Sequence, residues 1–167
     1  MGLGRFGGGL AAAESLLAEG RRVLVTDLAE EAALQASVTK LRETFGAQVS
    51  FRLGGHEQED FAQAELVIAN PAVPQPWNNP SLQTAWETGA TVTTEIARTL
   101  GQLSDRKTIA ITGSAGKSTT TAMTHAALVA AGIPATRGGN LGESLIGTPK
   151  VVELSSAMAW WLYEAPK

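Results

Sequence analysis

The chain has 167 residues, of which 44% are hydrophobic, 13 are Lys or Arg against 16 Asp or Glu, and none is Cys. That length and apolar content suit one domain or two small ones with a real core, and the absence of Cys excludes disulfides, thiolate metal sites and cysteine catalysis. The formal net charge of -3 argues against a general nucleic-acid binder, and no apolar run reaches spanning length or follows a charged leader; the expectation is a cytoplasmic protein with neither membrane nor nucleic-acid partners.

Taken in order, the pattern alternates helix and strand. A helix is predicted over Leu10–Glu19 and stopped by Gly20. A buried strand follows at Arg22–Thr26, ending at Asp27. Glu30–Phe45 reads as a helix stopped by Gly46. Val49–Leu53 alternates as a strand, and Leu66–Ala69 is a short apolar strand leading into an Asn70–Pro74 loop. Pro80-Ser81 opens a helix through Glu87, Thr91–Thr94 is a strand, and Glu95–Leu103 is a helix. The polar run Ser104–Lys107 marks a domain boundary, giving domains 1–103 and 104–167. Beyond it come a strand at Thr108–Thr112, a helix at Lys117–Ala131 with Met123, Ala127, Ala130 and Ala131 on one stripe, and a strand at Lys150–Leu154. Strands alternating with helices predict an α/β fold with Rossmann-like parallel pairing, followed by the start of a P-loop ATPase domain.

Both ends are unusual. A glycine-rich loop of this kind follows a strand, yet only Met1 precedes Gly2-Leu3-Gly4. In a doubly wound sheet that strand is central. At the other end, Trp160-Trp161-Leu162-Tyr163 is expected to pack against something beyond the chain. Together these features suggest an N-terminal fragment cut at both ends.

The 18 glycines exceed the average share of about 7%, and they cluster before predicted helices. Gly2-Leu3-Gly4-Arg5-Phe6-Gly7 permits a tight turn and presents a helix N-terminus to a phosphate. Asp27 stands at the end of the next strand, where an acid reaches a ribose hydroxyl; alternatively it caps the next helix. Thr112-Gly113-Ser114-Ala115-Gly116-Lys117-Ser118-Thr119 follows a strand and opens a helix. Its backbone N–H groups would cradle phosphates, Lys117 would pair with the outer ones, and a hydroxyl of Ser118 or Thr119 would bind Mg²⁺. The loop is shorter than a standard P-loop, having Ile111 where that spacing needs glycine. Gly138-Gly139-Asn140-Leu141-Gly142 precedes Glu153, a strand-end acid able to hold Mg²⁺ directly or through water. His56 and His125 show no metal-ligand spacing.

This ordered set, Gly-Ser-Ala-Gly-Lys-Ser-Thr, then Gly-Gly-Asn-Leu-Gly, then Glu153-Leu154-Ser155-Ser156, resembles the Mur ligases of peptidoglycan synthesis. The N-terminal glycine loop, Asn70-Pro71-Ala72 and Pro80-Ser81-Leu82 are most similar to the branch that adds D-glutamate. The resemblance implies ATP and Mg²⁺ as cofactors, UDP-N-acetylmuramoyl-L-alanine and D-glutamate as partners, and a monomer at full length. The reaction it implies passes through an acyl phosphate. Lys117 and Glu153 would be catalytic, and residues 113–119 (Gly113, Ser114, Ala115, Gly116, Lys117, Ser118 and Thr119) would bind ATP. Ser118 and Glu153 would hold the metal. Arg5, Phe6, Asp27, Asn70, Ala72, Asn140 and Ser156 would bind the UDP-sugar. The family loop commonly has Thr-Asn where this chain has Ser114-Ala115, and Phe-Gln-Leu where it has Ala157-Met158-Ala159. The metal-binding His and Lys further on in the family, and its amino-acid domain, have no counterpart in this chain, so the fragment alone is expected to be inactive. Alternatives are another Mur ligase, a non-catalytic UDP-sugar or nucleotide-binding paralogue, and an NAD-dependent oxidoreductase, the last disfavoured by a second phosphate loop bearing Lys117.

Overall fold

A computed structural model of the chain describes residues 1–4, 7–101, 108–139 and 151–166. Leu103, the polar break at 104–107, the second half of the Gly138–Gly142 cluster and the predicted strand start at Lys150 lie outside those residues. The chain forms two compact units, Met1–Thr94 and Glu95–Ala165.

In the first unit α1 (Gly8–Ala18) leads to β1 (Val23–Asp27), α2 (Glu31–Phe45) and β2 (Val49–Leu53). β1 and β2 pair in parallel, with Val23 opposite Val49 and Asp27 opposite Leu53. A five-residue helix α3 (Gln58–Ala62) precedes β3 (Leu66–Ile68), α4 (Pro80–Glu87) and β4 (Thr91–Thr93). β3 and β4 form a second parallel pair. α3 is absent from the predicted elements because a helical period cannot register over so short a run; buried Phe61 anchors it.

The core of this unit is dictated by α2. Leu34, Val38 and Leu41 recur at the i, i+4, i+7 spacing of one helix face, and all are buried. They pack with Leu3, Ala13, Leu17, Val25 and Val49. Each buried aliphatic side chain contributes about 1.5–3 kcal/mol relative to exposure. α4 is started by Asn79, whose side chain accepts from the Leu82 N–H, and by Pro80 in its first turn.

The second unit runs α5 (Glu95–Gly101), β5 (Ile109–Ile111), α6 (Lys117–Ala130), β6 (Arg137–Gly139), β7 (Val151–Glu153) and α7 (Ser156–Tyr163). Its sheet is parallel, in the order β5-β7-β6. β6 is not visible in the sequence because Arg-Gly-Gly has no strand propensity. α5, predicted with the first domain, packs with the second unit: Ile96 and Leu100 meet Val152, Leu154, Met158 and Leu162. The aromatic tail also finds a partner within this unit. Ser155 caps α7 by accepting from the Met158 N–H, and Trp161 is 5% exposed and stacks edge-on with Trp160.

The predicted apolar stripe of α6 does not face the sheet. Met123 is 68% exposed, and Ala127, Ala130 and Ala131 are exposed too, whereas Thr121 is fully buried. α6 has apolar residues around most of its circumference, so periodicity does not select a face, and its buried residue is Thr121. Among the described residues no helix is long and apolar enough to cross a membrane.

Candidate functional site

The first site is built where the backbone turns from Met1–Leu3 into α1. Met1 N donates to Ile68 O at 2.9 Å, Met1 O accepts from Asn70 N at 2.9 Å, and Gly2 N donates to Thr26 O at 2.7 Å. The opening residues thus bond to both β1 and β3. Gly2 and Gly4 take positive φ, and a Cβ on Gly2 would lie 2.8 Å from Asn70 Cβ. Asp27 carries the turn from β1: one carboxylate oxygen accepts from Gly4 N at 3.1 Å and the other from Ala29 N at 2.9 Å. Asn70 does the same from β3. Its Oδ1 accepts from Ala72 N at 2.9 Å, and its Nδ2 donates to Gly2 O at 3.3 Å. Asp27, Asn70 and Ala72 are therefore brought together around the glycine loop.

Asp27 is not idle in this arrangement. Each of its oxygens already takes a backbone N–H, and each retains further acceptor capacity for a ligand hydroxyl. α1 begins at Gly8 with no side-chain cap from Gly7 and no acid in its first turn, and a helix N-terminus carries free N–H groups and a partial positive charge. Arg5 and Phe6 lie outside the described residues.

Two residues of this site carry no signal in the sequence motif. Gly9 stands beyond the glycine motif, yet a Cβ there would sit 2.3 Å from Leu3 O and 2.7 Å from Gly2 O; it is the glycine that lets α1 close on the loop. His56 packs edge-on against Phe61, on the loop that Gly55 N ties to Asp27 O at 3.0 Å. Burial and then the Met1 ammonium hold its pKa below the usual imidazole value, with Asp27 opposing them.

The second site lies at the β5–α6 turn of the second unit. Gly113 and Gly116 have positive φ, and Gly116 is the N-cap of α6. Lys117 folds back over the loop and donates to Gly113 O at 2.9 Å. Ser114, Ala115, Ser118 and Thr119 are exposed. Here too the first turn of the helix has no side-chain cap and no acid. Glu153 is 2% exposed on the central strand, in register with Ile111 on one side and Gly139 on the other. The strand from which the loop departs and the strand bearing the buried acid are thus direct neighbours. A Cβ on Gly139 would lie 2.2 Å from Glu153 O, so this residue must be glycine for β6 to close against the acid. Ser156 is exposed at the start of α7, and Asn140 lies outside the described residues. Among the described residues no group of three or more His, Cys, Asp or Glu is placed to hold a metal ion.

Gly9→Ala should destabilise the chain by about 2 kcal/mol or more, since the added methyl meets backbone that cannot turn away; urea unfolding measures this. The Met1 amine is desolvated and its pKa falls from 8.0 to about 6. A group whose folded pKa is depressed in this way must lose its proton on folding, so stability rises with pH between about 6 and about 8. The gain in unfolding free energy over that window is expected to be about 2–3 kcal/mol, measured by urea unfolding of the 167-residue chain.

Comparison with known proteins gives a consistent result. Residues 1–94 match the family model for the Mur ligase MurD-like N-terminal domain. The UDP-N-acetylmuramoylalanine–D-glutamate ligase of Geobacter metallireducens is 39% identical over 166 residues, covering 92% of this chain and 34% of the relative. The enzymes of the same name from Anaeromyxobacter dehalogenans and Treponema pallidum are 45% and 41% identical, over 89% and 93% of this chain and 32% and 30% of their own length. The chain spans about a third of the length of these relatives. The chain belongs to the Mur ligase family, and its first unit is a MurD-like N-terminal domain.

Proposed function

We propose that this chain carries the UDP-sugar-binding domain and the first part of the ATP-binding domain of a ligase that joins D-glutamate to UDP-N-acetylmuramoyl-L-alanine. The observation that carries the reading is the pairing of an uncapped, glycine-bounded loop bearing Lys117 with a buried carboxylate, Glu153, on the adjoining strand. It is supported by the activity for which the relatives are named.

In this reading the first loop binds the diphosphate through the N–H groups of α1, Asp27, Asn70 and Ala72 border the uridine, and Arg5 and Phe6 are further binding residues for the UDP-sugar. Residues 113–119 cradle the ATP phosphates. Lys117 neutralises charge on the γ-phosphoryl group as it is transferred. A substrate carboxylate oxygen attacks phosphorus and the bond to ADP breaks, giving an acyl phosphate. The amine of D-glutamate then attacks the carbonyl carbon, the C–O bond to phosphate breaks, and the amine sheds its proton. Mg²⁺ supplies charge neutralisation at the phosphates. Ser118 and Glu153 are oxygen donors suited to it, and Mg²⁺ keeps several waters and takes only one or two protein ligands. Burial of Glu153 beside the loop fits such a role. Asn140 and Ser156 contact the UDP-sugar.

The test is made in a full-length protein containing this chain. Lys117→Ala is expected to lower kcat for D-glutamate ligation by about a thousand-fold, within the range for loss of a preorganised charge at a phosphoryl transition state, with binding of the UDP-sugar little changed. Unchanged kcat would sink the reading. Binding of UDP-sugar without any ATP turnover would favour the non-catalytic paralogue, for which the Ser114-Ala115 departure gives the opening.

A further inference from the structure

The central strand of the second unit has two covered faces. Val152 in β7 and Leu154 just after it pack with Ile96, Met158 and Leu162 from α5 and α7. Side chains alternate along a strand, so Val151 and Glu153 belong to the other face, and both are buried. α6 packs against β7 and covers that second face. Its buried residue is Thr121, which is fully enclosed. Thr121 therefore sits over the surface that carries Glu153. It lies three residues after Ser118 and four after Lys117, spacings that make it a neighbour of both on the helix surface.

The Thr121 hydroxyl is spare. Thr44, Thr84 and Thr88 each donate a hydroxyl proton to the carbonyl four residues back. Thr121 Oγ1 makes no such bond, and among the described residues it has no hydrogen-bond partner although it is buried. A buried hydroxyl without a partner is costly, and valine fills a similar volume without that cost. Packing alone therefore does not account for a threonine at this position.

We propose that Thr121 is a positioning residue for the metal-binding carboxylate: its hydroxyl donates to one oxygen of Glu153 and leaves the other turned toward the loop for Mg²⁺. This role rests on the ligase reading given above, in which Ser118 and Glu153 hold that ion. A carboxylate that binds a cation through one oxygen keeps acceptor capacity on the other, and in an enclosed site that second oxygen needs a donor. The strand neighbours of Glu153, Ile111 and Gly139, offer no side-chain donor. Thr121 is the hydroxyl that α6 brings to this face. Metal ligands are ordinarily oriented by an outer hydrogen bond of this kind, and its loss weakens metal binding about 10- to 100-fold.

The readout is the gain in affinity that Mg²⁺ gives to β,γ-imido-ATP, an unreactive analogue. It is measured by calorimetry with Mg²⁺ and with excess EDTA, on a full-length protein containing this chain. Thr121→Val is expected to reduce that gain about ten-fold and to leave the metal-free affinity unchanged. The Mg²⁺ concentration for half-maximal ligation is expected to rise by a similar factor, with kcat unchanged at saturating metal. Thr121→Ser, which keeps the hydroxyl, is expected to restore the gain. Glu153→Gln is expected to remove most of it, and so tests the ligase reading separately. If Glu153→Gln loses the gain and Thr121→Val keeps it, the positioning role is overturned and the ligase reading stands. If Glu153→Gln keeps the gain, both fall. A Thr121→Val change that weakens metal-free binding equally would show a packing role and overturn the proposal. If the valine variant does not fold, Thr121→Ala carries the same expectation, and failure of both to fold assigns Thr121 to packing and overturns it too.

Discussion

The first unit depends on a close approach of backbone to side chain that only glycine allows. Gly2 lies where a Cβ would be 2.8 Å from Asn70 Cβ, and Gly9 lies where one would be 2.3 Å from Leu3 O. With those positions free of side chains, the opening residues bond to β1 and β3 together and α1 closes on the loop. Leu3 is thereby carried into the core beside Val25, Val38 and Leu41. Leu3 thus ties the start of the chain to the core. Preorganisation of this kind lets backbone N–H groups receive an anion without reordering.

Polar side chains complete what glycine permits. Asp27 and Asn70 come from different strands, and each uses its short side chain to fix loop backbone. Their position at the carboxyl ends of parallel strands is where open α/β sheets bind ligands. The same economy recurs in the second unit, where Gly139 lets β6 close on Glu153 O and Lys117 folds over its own loop. The Lys117 ammonium donates to a neutral carbonyl, Gly113 O.

Much of the fold was legible in the residues. Val49–Leu53 and Pro80–Glu87 appear with their predicted bounds, because alternation and an Asn-Pro start are strong local signals. Asp27, singled out at a strand end, and Asn70, implied by the family resemblance, converge on the glycine loop. What was hidden depends on tertiary contact. β6 exists only because its neighbour accepts Gly-Gly, α3 is too short to show a period, and the residue α6 buries is Thr121, outside its apolar stripe. Gly9 looks like a surplus glycine in the sequence; its function is a distance to Leu3 O that no sequence pattern encodes. The terminal aromatic segment was expected to pack against something beyond the chain; in the fold Ser155 caps its helix, Met158 and Leu162 pack with α5, and Tyr163 is exposed.

The central proposal is that Gly2, Gly4, Gly9, Asp27 and Asn70 border a nucleotide-diphosphate site. Amide chemical shifts of the 167-residue chain during titration with UDP test it most directly. The expected shifts concentrate at Gly2, Gly4, Gly8, Gly9 and Ala72 and are lost in Asp27→Ala. Saturating UDP that leaves those amides unmoved, while the chain is folded, would contradict it.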